Sequence, residues 1–375
     1  MTYQNDISEL VLVYSAPTLV EGLVKYAVMS GVSDIHIDYH RGGTYVSFRK
    51  NGILGGTLTN FKCPHREIIA RFKVLAGIRT DEHMHMHDGR IHYEFSDNSI
   101  VDLRISIMPT YHGENCVVRI LKNNNTELSL EELGCTSEEA KKIRNALAQP
   151  QGCICVVGPT GSGKTTTLYT FLRHLYSQAR VLVTIEDPVE SELEGIRQVQ
   201  VSPRQNITFA QGLRALLRQD PDVIMVGEMR DKETAVVVMN AALTGHLVVS
   251  SLHAKDCVQG CVRLQDLGLE TSLIASAVTL LISQRLVRKK CGACNARGCA
   301  ECFLTGYNGR IGVYEILAID EKVQQHLRTS LQPKLLRKLQ YSQGNLTLYE
   351  KAKKLITEGY TTIEEVDRVF GRELF

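Results

Sequence analysis

The stretch CICVVGPTGSGKTTTLYTFL, residues 153–172, decides the fold of the second half of this chain. Its apolar run 154–157 predicts a short buried strand, and the residues from Thr165 onward predict a helix. Between them lies Gly158-x-x-x-x-Gly163-Lys164-Thr165, which matches the phosphate-loop pattern at every position. Because the strand and the helix flank the loop as the pattern requires, a chance match in a glycine-rich loop is disfavoured.

The residue types of this loop suit one chemistry. Glycines let the backbone curl so that its N–H groups can cradle phosphate oxygens, and the helix N-terminus adds positive potential. Lys164 would reach the β- and γ-phosphates of ATP, and the Thr165 hydroxyl would hold Mg²⁺. The predicted nucleotide-binding residues are Gly158, Pro159, Thr160, Gly161, Ser162, Gly163, Lys164, Thr165 and Thr166.

Two later apolar strands end in carboxylates, which phosphoryl transfer to water requires near the nucleotide. In DVIMVGEMRD (222–231) the strand 223–226 precedes Glu228, and in VLVTIEDPVE (181–190) the strand 181–185 precedes Glu186, Asp187 and Glu190. A third strand-like segment, TGHLVVSSLHA (244–254), carries His246 and His253. The alternative is that these side chains are solvated loop carboxylates and structural histidines.

The bulk composition describes an ordinary globular chain. It has 375 residues, 43% hydrophobic and 22% charged, with a net charge of +2, so charge alone does not predict nucleic-acid binding. We see no secretory signal, and the apolar segments are shorter than the ~20 residues of a membrane span. We therefore expect a cytoplasmic protein. Its 11 cysteines would be thiols or metal ligands, although disulfides remain an alternative.

The pattern along the chain predicts two main domains. Residues 1–22 are unassigned, 23–121 alternate short helices and strands as an α+β domain with an Asn51-Gly52 hairpin turn, and 122–127 (KNNNTE) are a linker. Residues 128–375 alternate strands and helices and predict an α/β domain with a parallel sheet. Within it, Thr136 and Glu139 form a capping-box pair at a helix start.

The segment CGACNARGCAEC (291–302) contains two CxxC pairs. Four cysteines so spaced predict a tetrahedral Zn²⁺ site, with a redox dithiol or a metal-free loop as alternatives. Nearby cations would offset the thiolate charge, or could meet a membrane-anchored partner or anionic lipid. The cysteines are Cys291, Cys294, Cys299 and Cys302, and the cations are Arg285, Arg288, Lys289, Lys290 and Arg297.

The four segments GPTGSGKTTT, IEDPVE, RQDPDVIMVGEMRD and TGHLVVSSLHA resemble, in this order, the Walker A, Asp box, Walker B and His box of the secretion ATPases. That family powers type II secretion, type IV pilus assembly and the competence pseudopilus. The resemblance implies a homohexamer with a RecA-like ATPase domain and a PAS-like N-terminal domain. It also implies that Glu228 is catalytic, that Glu186, Asp187 and Glu190 form the Asp box, and that His246 and His253 form the His box.

The same resemblance implies roles for arginines outside the ATPase domain. Arg90, in the sequence DGR, and Arg104 would act on the γ-phosphate, and Arg119 is a weaker candidate. A guanidinium suits this task because its paired donors match a phosphoryl group, although each arginine could instead form a surface ion pair. The preceding HMHMH (83–87) departs from the family pattern, and we interpret it as a solvated loop in preference to a metal site.

We therefore expect an ATPase motor that assembles a pilus-like filament through an inner-membrane platform protein, peripherally bound at the inner face of the membrane. The cysteines, GRIGVYEIL (309–317) and the helical tail resemble assembly-type members. The short chain resembles the competence ATPase that serves DNA uptake. The alternatives are a nucleic-acid translocase on the same core, although we expect no direct nucleic-acid contact, and a nucleotide-regulated scaffold without turnover.

Overall fold

The computed structural model describes residues 7–95, 97, 99–121, 128–176, 180–202, 205, 207–302 and 304–371. The chain divides into two compact units, Met1–Asn124 and Asn125–Phe375. The linker predicted at 122–127 lies outside the described residues. Both units combine helices and sheets, so the expected α/β class is confirmed.

The first unit is a six-stranded antiparallel sheet with two helices, in the strand order β3-β2-β1-β6-β5-β4. After a 3-10 helix at Ile7–Leu12 its elements are α1 (Ala16–Ser30), β1 (Asp34–His40), β2 (Gly43–Lys50), β3 (Ile53–Leu58), α2 (His65–Leu75), β4 (His87–Glu94), β5 (Ile100–Pro109) and β6 (Glu114–Leu121).

Helix α1 crosses the predicted domain start at residue 23. Its Leu19 and Val20 are fully buried in the same apolar cluster as the sheet, so the first unit takes in part of the unassigned segment. The predicted hairpin turn is present between β2 and β3, where Asn51 and Gly52 have φ of 51° and 82°. These left-handed angles are the reason that the turn needs asparagine and glycine.

The second unit is a seven-stranded sheet in the order β13-β12-β7-β11-β10-β8-β9, parallel except for the edge strand β13. Its helices are α3 (Leu130–Leu133), α4 (Ser137–Leu147), α5 (Lys164–Tyr176), α6 (Phe209–Leu216), α7 (Lys232–Leu243), α8 (Cys257–Asp266), α9 (Thr271–Ala277), α10 (Glu321–Thr329), α11 (Pro333–Ser342), α12 (Leu348–Thr357) and α13 (Ile363–Phe370), with 3-10 turns at Leu217–Gln219 and Ala300–Cys302. Its strands are β7 (Gly152–Val157), β8 (Leu182–Glu186), β9 (Arg197–Gln200), β10 (Val223–Val226), β11 (Leu247–Leu252), β12 (Val278–Lys290) and β13 (Tyr307–Ala318).

This sheet is covered by apolar side chains on both faces. In β7, Cys153 and Cys155 belong to one buried cluster, whereas Ile154 and Val156 belong to another. Near-continuous apolar strands of this kind are typical of parallel sheets with helices on each side. Because parallel strands end at the same edge, the loops that follow β7, β8, β10 and β11 lie together, and open α/β sheets bind ligands there.

Capping and buried ion pairs fix the outer helices. The predicted capping box of Thr136 and Glu139 begins α4. At the tail, the buried Glu365 of α13 accepts hydrogen bonds from Arg288 of β12 and from Arg368, which joins the last helix to the sheet. Among the described residues, no helix combines the length and the apolar character needed to cross a bilayer.

Candidate functional site

The loop between β7 and α5 is a tight turn that only glycine permits at three positions. Gly161 and Gly163 have φ of 76° and 90°. At Gly158 a Cβ would lie 2.5 Å from Ser162 Oγ and 2.8 Å from the carbonyl oxygen of Gln284. The glycines of the phosphate-loop pattern are therefore required by backbone angle or by close packing.

Two side chains of this loop, Lys164 and Ser162, have polar groups that are placed to meet a ligand. The Lys164 ammonium donates to the carbonyl oxygens of Gly158 and Pro159, at 2.9 and 3.0 Å. Burial lowers the pKa of Lys164, and the negative charge of Glu228 opposes that effect. The buried Ser162 Oγ has no hydrogen-bond partner among the described residues. A desolvated ammonium and an unpaired hydroxyl suit the phosphate groups of a nucleotide, so the loop fits ATP.

Beyond β10 the structure gathers three of the predicted residues around one ion-pair network. Glu228 Oε1 lies 3.1 Å from His253 Nε2, and its Oε2 accepts from Arg230 Nε at 3.0 Å. A second Arg230 nitrogen donates to Asp187 at 3.1 Å. Arg230 was missed in the sequence analysis, although it lies two positions after Glu228 in the same motif. The carboxyl edge thus joins the ends of β8, β10 and β11.

Glu186 has a different environment from Glu228. It is 3% exposed and accepts hydrogen bonds from Tyr169 Oη at 2.6 Å, Thr184 Oγ1 at 2.7 Å and Gln198 Nε2 at 3.1 Å. Burial and the nearby carboxylate raise the pKa of Tyr169, which therefore remains a donor. The Glu186 carboxylate is thus enclosed by three neutral donors, and its catalytic role stays a prediction. The exposed Glu190 follows, and its backbone N–H contacts the Tyr169 hydroxyl at 3.3 Å.

The two histidines of the third motif lie at opposite ends of β11. His253 follows the carboxyl end and reaches Glu228, but His246 precedes the amino end and contacts the Ala241 carbonyl at 3.1 Å. The six residues between them span about 20 Å at the usual rise of a strand. Within one subunit His246 therefore lies at the opposite end of β11 from the phosphate loop, and its assignment to the His box stays a prediction.

In the first unit the three candidate arginines form one row across the sheet. Arg90 of β4 pairs in register with Arg104 of β5, which pairs with Arg119 of β6. Residues paired across adjacent strands point to the same face, about 5 Å apart. Arg119 also donates to Asp34 of β1 at 2.8 Å, whereas Arg104 has no ion-pair partner among the described residues. The row is a concentrated cationic surface.

Residues 83–86 of the histidine-methionine segment form an exposed loop, and His87 begins β4. His83 contacts Glu114 and His85 contacts Glu82, each at 2.8 Å, so the two rings point to different carboxylates. Met84 and Met86 are largely exposed. Within the described ranges the four-cysteine cluster is the one grouping whose ligand atoms converge for a metal. The described side chains thus give no support to a metal site in this loop.

The four predicted zinc ligands do converge. All four sulfurs lie within 4.8 Å of one another, with Cys291–Cys299 at 3.8 Å and Cys294–Cys302 at 3.7 Å. Tetrahedral bonds of about 2.3 Å to zinc place sulfurs about 3.8 Å apart, so the donor set fits Zn²⁺. Burial would raise the pKa of Cys302, but hydrogen bonds from the Cys299 and Gly306 N–H groups lower it to about 6, which favours a thiolate.

Comparison with known proteins agrees with this architecture. A family model described as "Type II/IV secretion system protein" matches residues 14–368. The protein HxcR of Pseudomonas aeruginosa is 40% identical over 94% of this chain and 76% of its own length. The type II secretion system ATPase E of Vibrio cholerae is 38% identical over 94% and 74%.

Solved structures share the fold. The ATPase DotB of Legionella pneumophila superposes with a TM-score of 0.73 at 24% identity, over 94% of this chain and 95% of its own. The pilus retraction motor PilT with bound ADP gives 0.68 at 24%, over 93% and 96%. The family match and the close relatives together show that this chain belongs to the type II/IV secretion system protein family.

Proposed function

We propose that this chain is a Mg²⁺-dependent ATPase that works as a homohexameric motor for assembly of a pilus-like filament. The observation that carries the proposal is the convergence of the phosphate loop, Glu228 and His253 at one edge of the parallel sheet. The names of the relatives support secretion as the setting. The reaction is the hydrolysis of ATP to ADP and phosphate.

In this mechanism the loop residues bind and Glu228 orients the attacking water. Thr165, at the start of α5, would hold Mg²⁺, which neutralises phosphate charge when bound. Glu228 accepts a hydrogen bond from the water while His253 keeps the carboxylate in position. Arg230 donates to both Glu228 and Asp187, so one guanidinium links the loops that follow β10 and β8.

The arginine row would complete the site from the first unit. Hydrolysis builds negative charge on the γ-phosphoryl oxygens, and an arginine that arrives with the transition state lowers its energy. Arg104 is the strongest candidate, because it lies in the middle of the row and Arg119 is already paired with Asp34.

The remaining parts of the proposal concern the cluster and the partners. A structural Zn²⁺ between β12 and β13 would be held by Cys291, Cys294, Cys299 and Cys302.

The tetracysteine segment and GRIGVYEIL support assembly of a filament over its retraction. The motor would be cytoplasmic, bound peripherally through an inner-membrane platform protein. Service to a competence pseudopilus and DNA uptake stays a prediction.

We expect Glu228→Gln to reduce Mg²⁺-dependent ATP hydrolysis by roughly 100-fold or more while nucleotide is still bound, because water orientation is lost. Hydrolysis is measured as phosphate release, and binding with a fluorescent nucleotide. Glu321→Gln, at the exposed start of α10, is the matched control and should behave as the unaltered protein. Equal turnover by the Glu228 variant would contradict the assigned role.

Arg104→Gln should lower kcat by roughly 10³-fold with little change in KM, since an arginine that contacts the transition state contributes about that much. The control is Arg79→Gln, an exposed arginine of the same unit that pairs with Asp81. The kcat and KM of both variants are measured by steady-state ATP hydrolysis. A normal kcat for Arg104→Gln would contradict the catalytic role assigned to Arg104.

Native mass spectrometry should find one zinc ion per chain. The double variant Cys291→Ser/Cys302→Ser should lose the metal and unfold at a lower temperature, because a Zn(Cys)₄ site contributes directly to folding. The control variant Cys63→Ser, in the first unit, should keep the zinc ion. Metal-free wild type after growth with zinc, or an unchanged zinc content in the double variant, would reject the site.

Deletion of the gene tests the filament system. Loss of uptake of external DNA, restored by the wild-type gene and not by Glu228→Gln, is the result expected for a competence motor. Normal transformation together with loss of protein secretion would instead assign the type II role. Both phenotypes are measured in the same strain, and normal uptake of external DNA would contradict the competence role.

A further inference from the structure

Strand β12 continues past the strand that carries the phosphate loop. It pairs in parallel with β7 until Ser283 lies opposite Val157, the last residue of β7. The next two residues, Gln284 and Arg285, therefore lie alongside the loop itself. No sequence motif led to these two positions, because more than 100 residues separate them from the loop.

Gln284 fixes the loop to β12. Its side chain is 1% exposed, its Nε2 donates to the Ser162 carbonyl at 2.8 Å, and its Oε1 accepts from Thr167 Oγ1 at 2.8 Å. At Gly163 a Cβ would lie 2.8 Å from the same Nε2. The loop and this part of β12 are thus in direct contact, and the position of the following residue relative to the loop is well defined.

Arg285 is a half-buried cation beside that contact. Its guanidinium donates to the carbonyl oxygens of Lys255, at 2.9 Å, and of Gln284, at 3.2 Å. The Gln284 carbonyl also lies against Gly158 of the phosphate loop, since a Cβ on Gly158 would be 2.8 Å from it. Among the described residues no carboxylate lies within ion-pair distance of Arg285. The sequence had grouped this arginine with the cations around the cysteines.

We infer that Arg285 is a nucleotide-binding residue that donates to the β- and γ-phosphate oxygens from the same subunit as the phosphate loop. Lys164, the phosphate-binding lysine of the loop pattern, donates to the Gly158 carbonyl. Gly158 in turn packs against the Gln284 carbonyl, which also accepts a hydrogen bond from Arg285. Arg285 and Lys164 are therefore both next to Gly158. The inference rests on the proposed function, because it deepens the same ATP site.

The charges of the site agree with this assignment. Burial lowers the pKa of Arg285, and the positive charge of Arg285 contributes to the lowered pKa of Lys164. The charges of Asp256 and Glu315 oppose the effect of burial on Arg285, but neither carboxylate is within ion-pair distance of it. Among the described residues both cations donate to carbonyl oxygens, so a polyanion would give each of them a charged partner. A guanidinium can exchange neutral carbonyls for charged phosphate oxygens, which form shorter and stronger hydrogen bonds.

The test compares Arg285→Gln and Arg285→Lys with Arg263→Gln, an exposed arginine of α8, in the full-length protein. We expect Arg285→Gln to weaken binding of the Mg²⁺ complex of a non-hydrolysable ATP analogue at least tenfold, and Arg285→Lys to recover part of the loss. Binding is measured by titration calorimetry. The melting temperature without nucleotide should stay unchanged, because a purely structural tie to Lys255 would lower it.

Unchanged affinity and unchanged hydrolysis in Arg285→Gln would overturn the inference, provided that wild type and Arg263→Gln bind and hydrolyse ATP in the same assays. The inference would also be overturned if Arg285→Gln lost affinity for the analogue and also melted at a lower temperature without nucleotide. If wild type itself neither binds the analogue nor hydrolyses ATP, the proposed function fails together with the inference.

Discussion

The structure of the site depends on the contact between the phosphate loop and β12. Gly158 and Gly163 allow the loop to approach Gln284 so closely that any larger residue would collide with its backbone or amide. The buried Gln284 in turn satisfies both Ser162 of the loop and Thr167 of α5. The curl that binds phosphate is therefore held by the sheet as well as by its own sequence, and every other group at this edge is placed relative to it.

Features that the sequence encodes locally could be predicted from it. The phosphate loop, the strand before Glu228, the hairpin at Asn51 and the capping box at Thr136 each depend on neighbouring residues, and the structure contains all of them. The convergence of the four cysteines is also local, because two CxxC pairs joined by a short loop lie within residues 291–302.

Features that depend on distant parts of the chain could not be predicted. Glu186 and Glu228 both follow apolar strands, but only Glu186 is enclosed by Tyr169 and Gln198, which belong to other elements. Arg285 was grouped with the cysteines because it is near them in sequence, whereas the parallel pairing of β12 with β7 places it beside the loop. The separation of His246 from His253 is different, since it follows from the length of β11 alone.

The distribution of cations suggests how binding and turnover are divided. Lys164 and, by our inference, Arg285 belong to the unit that carries the phosphate loop, so nucleotide affinity would require that unit alone. The row of Arg90, Arg104 and Arg119 belongs to the other unit and would act only on the transition state. If both assignments hold, nucleotide affinity and turnover depend on different cations, so substitution of one group can leave ATP bound but not hydrolysed.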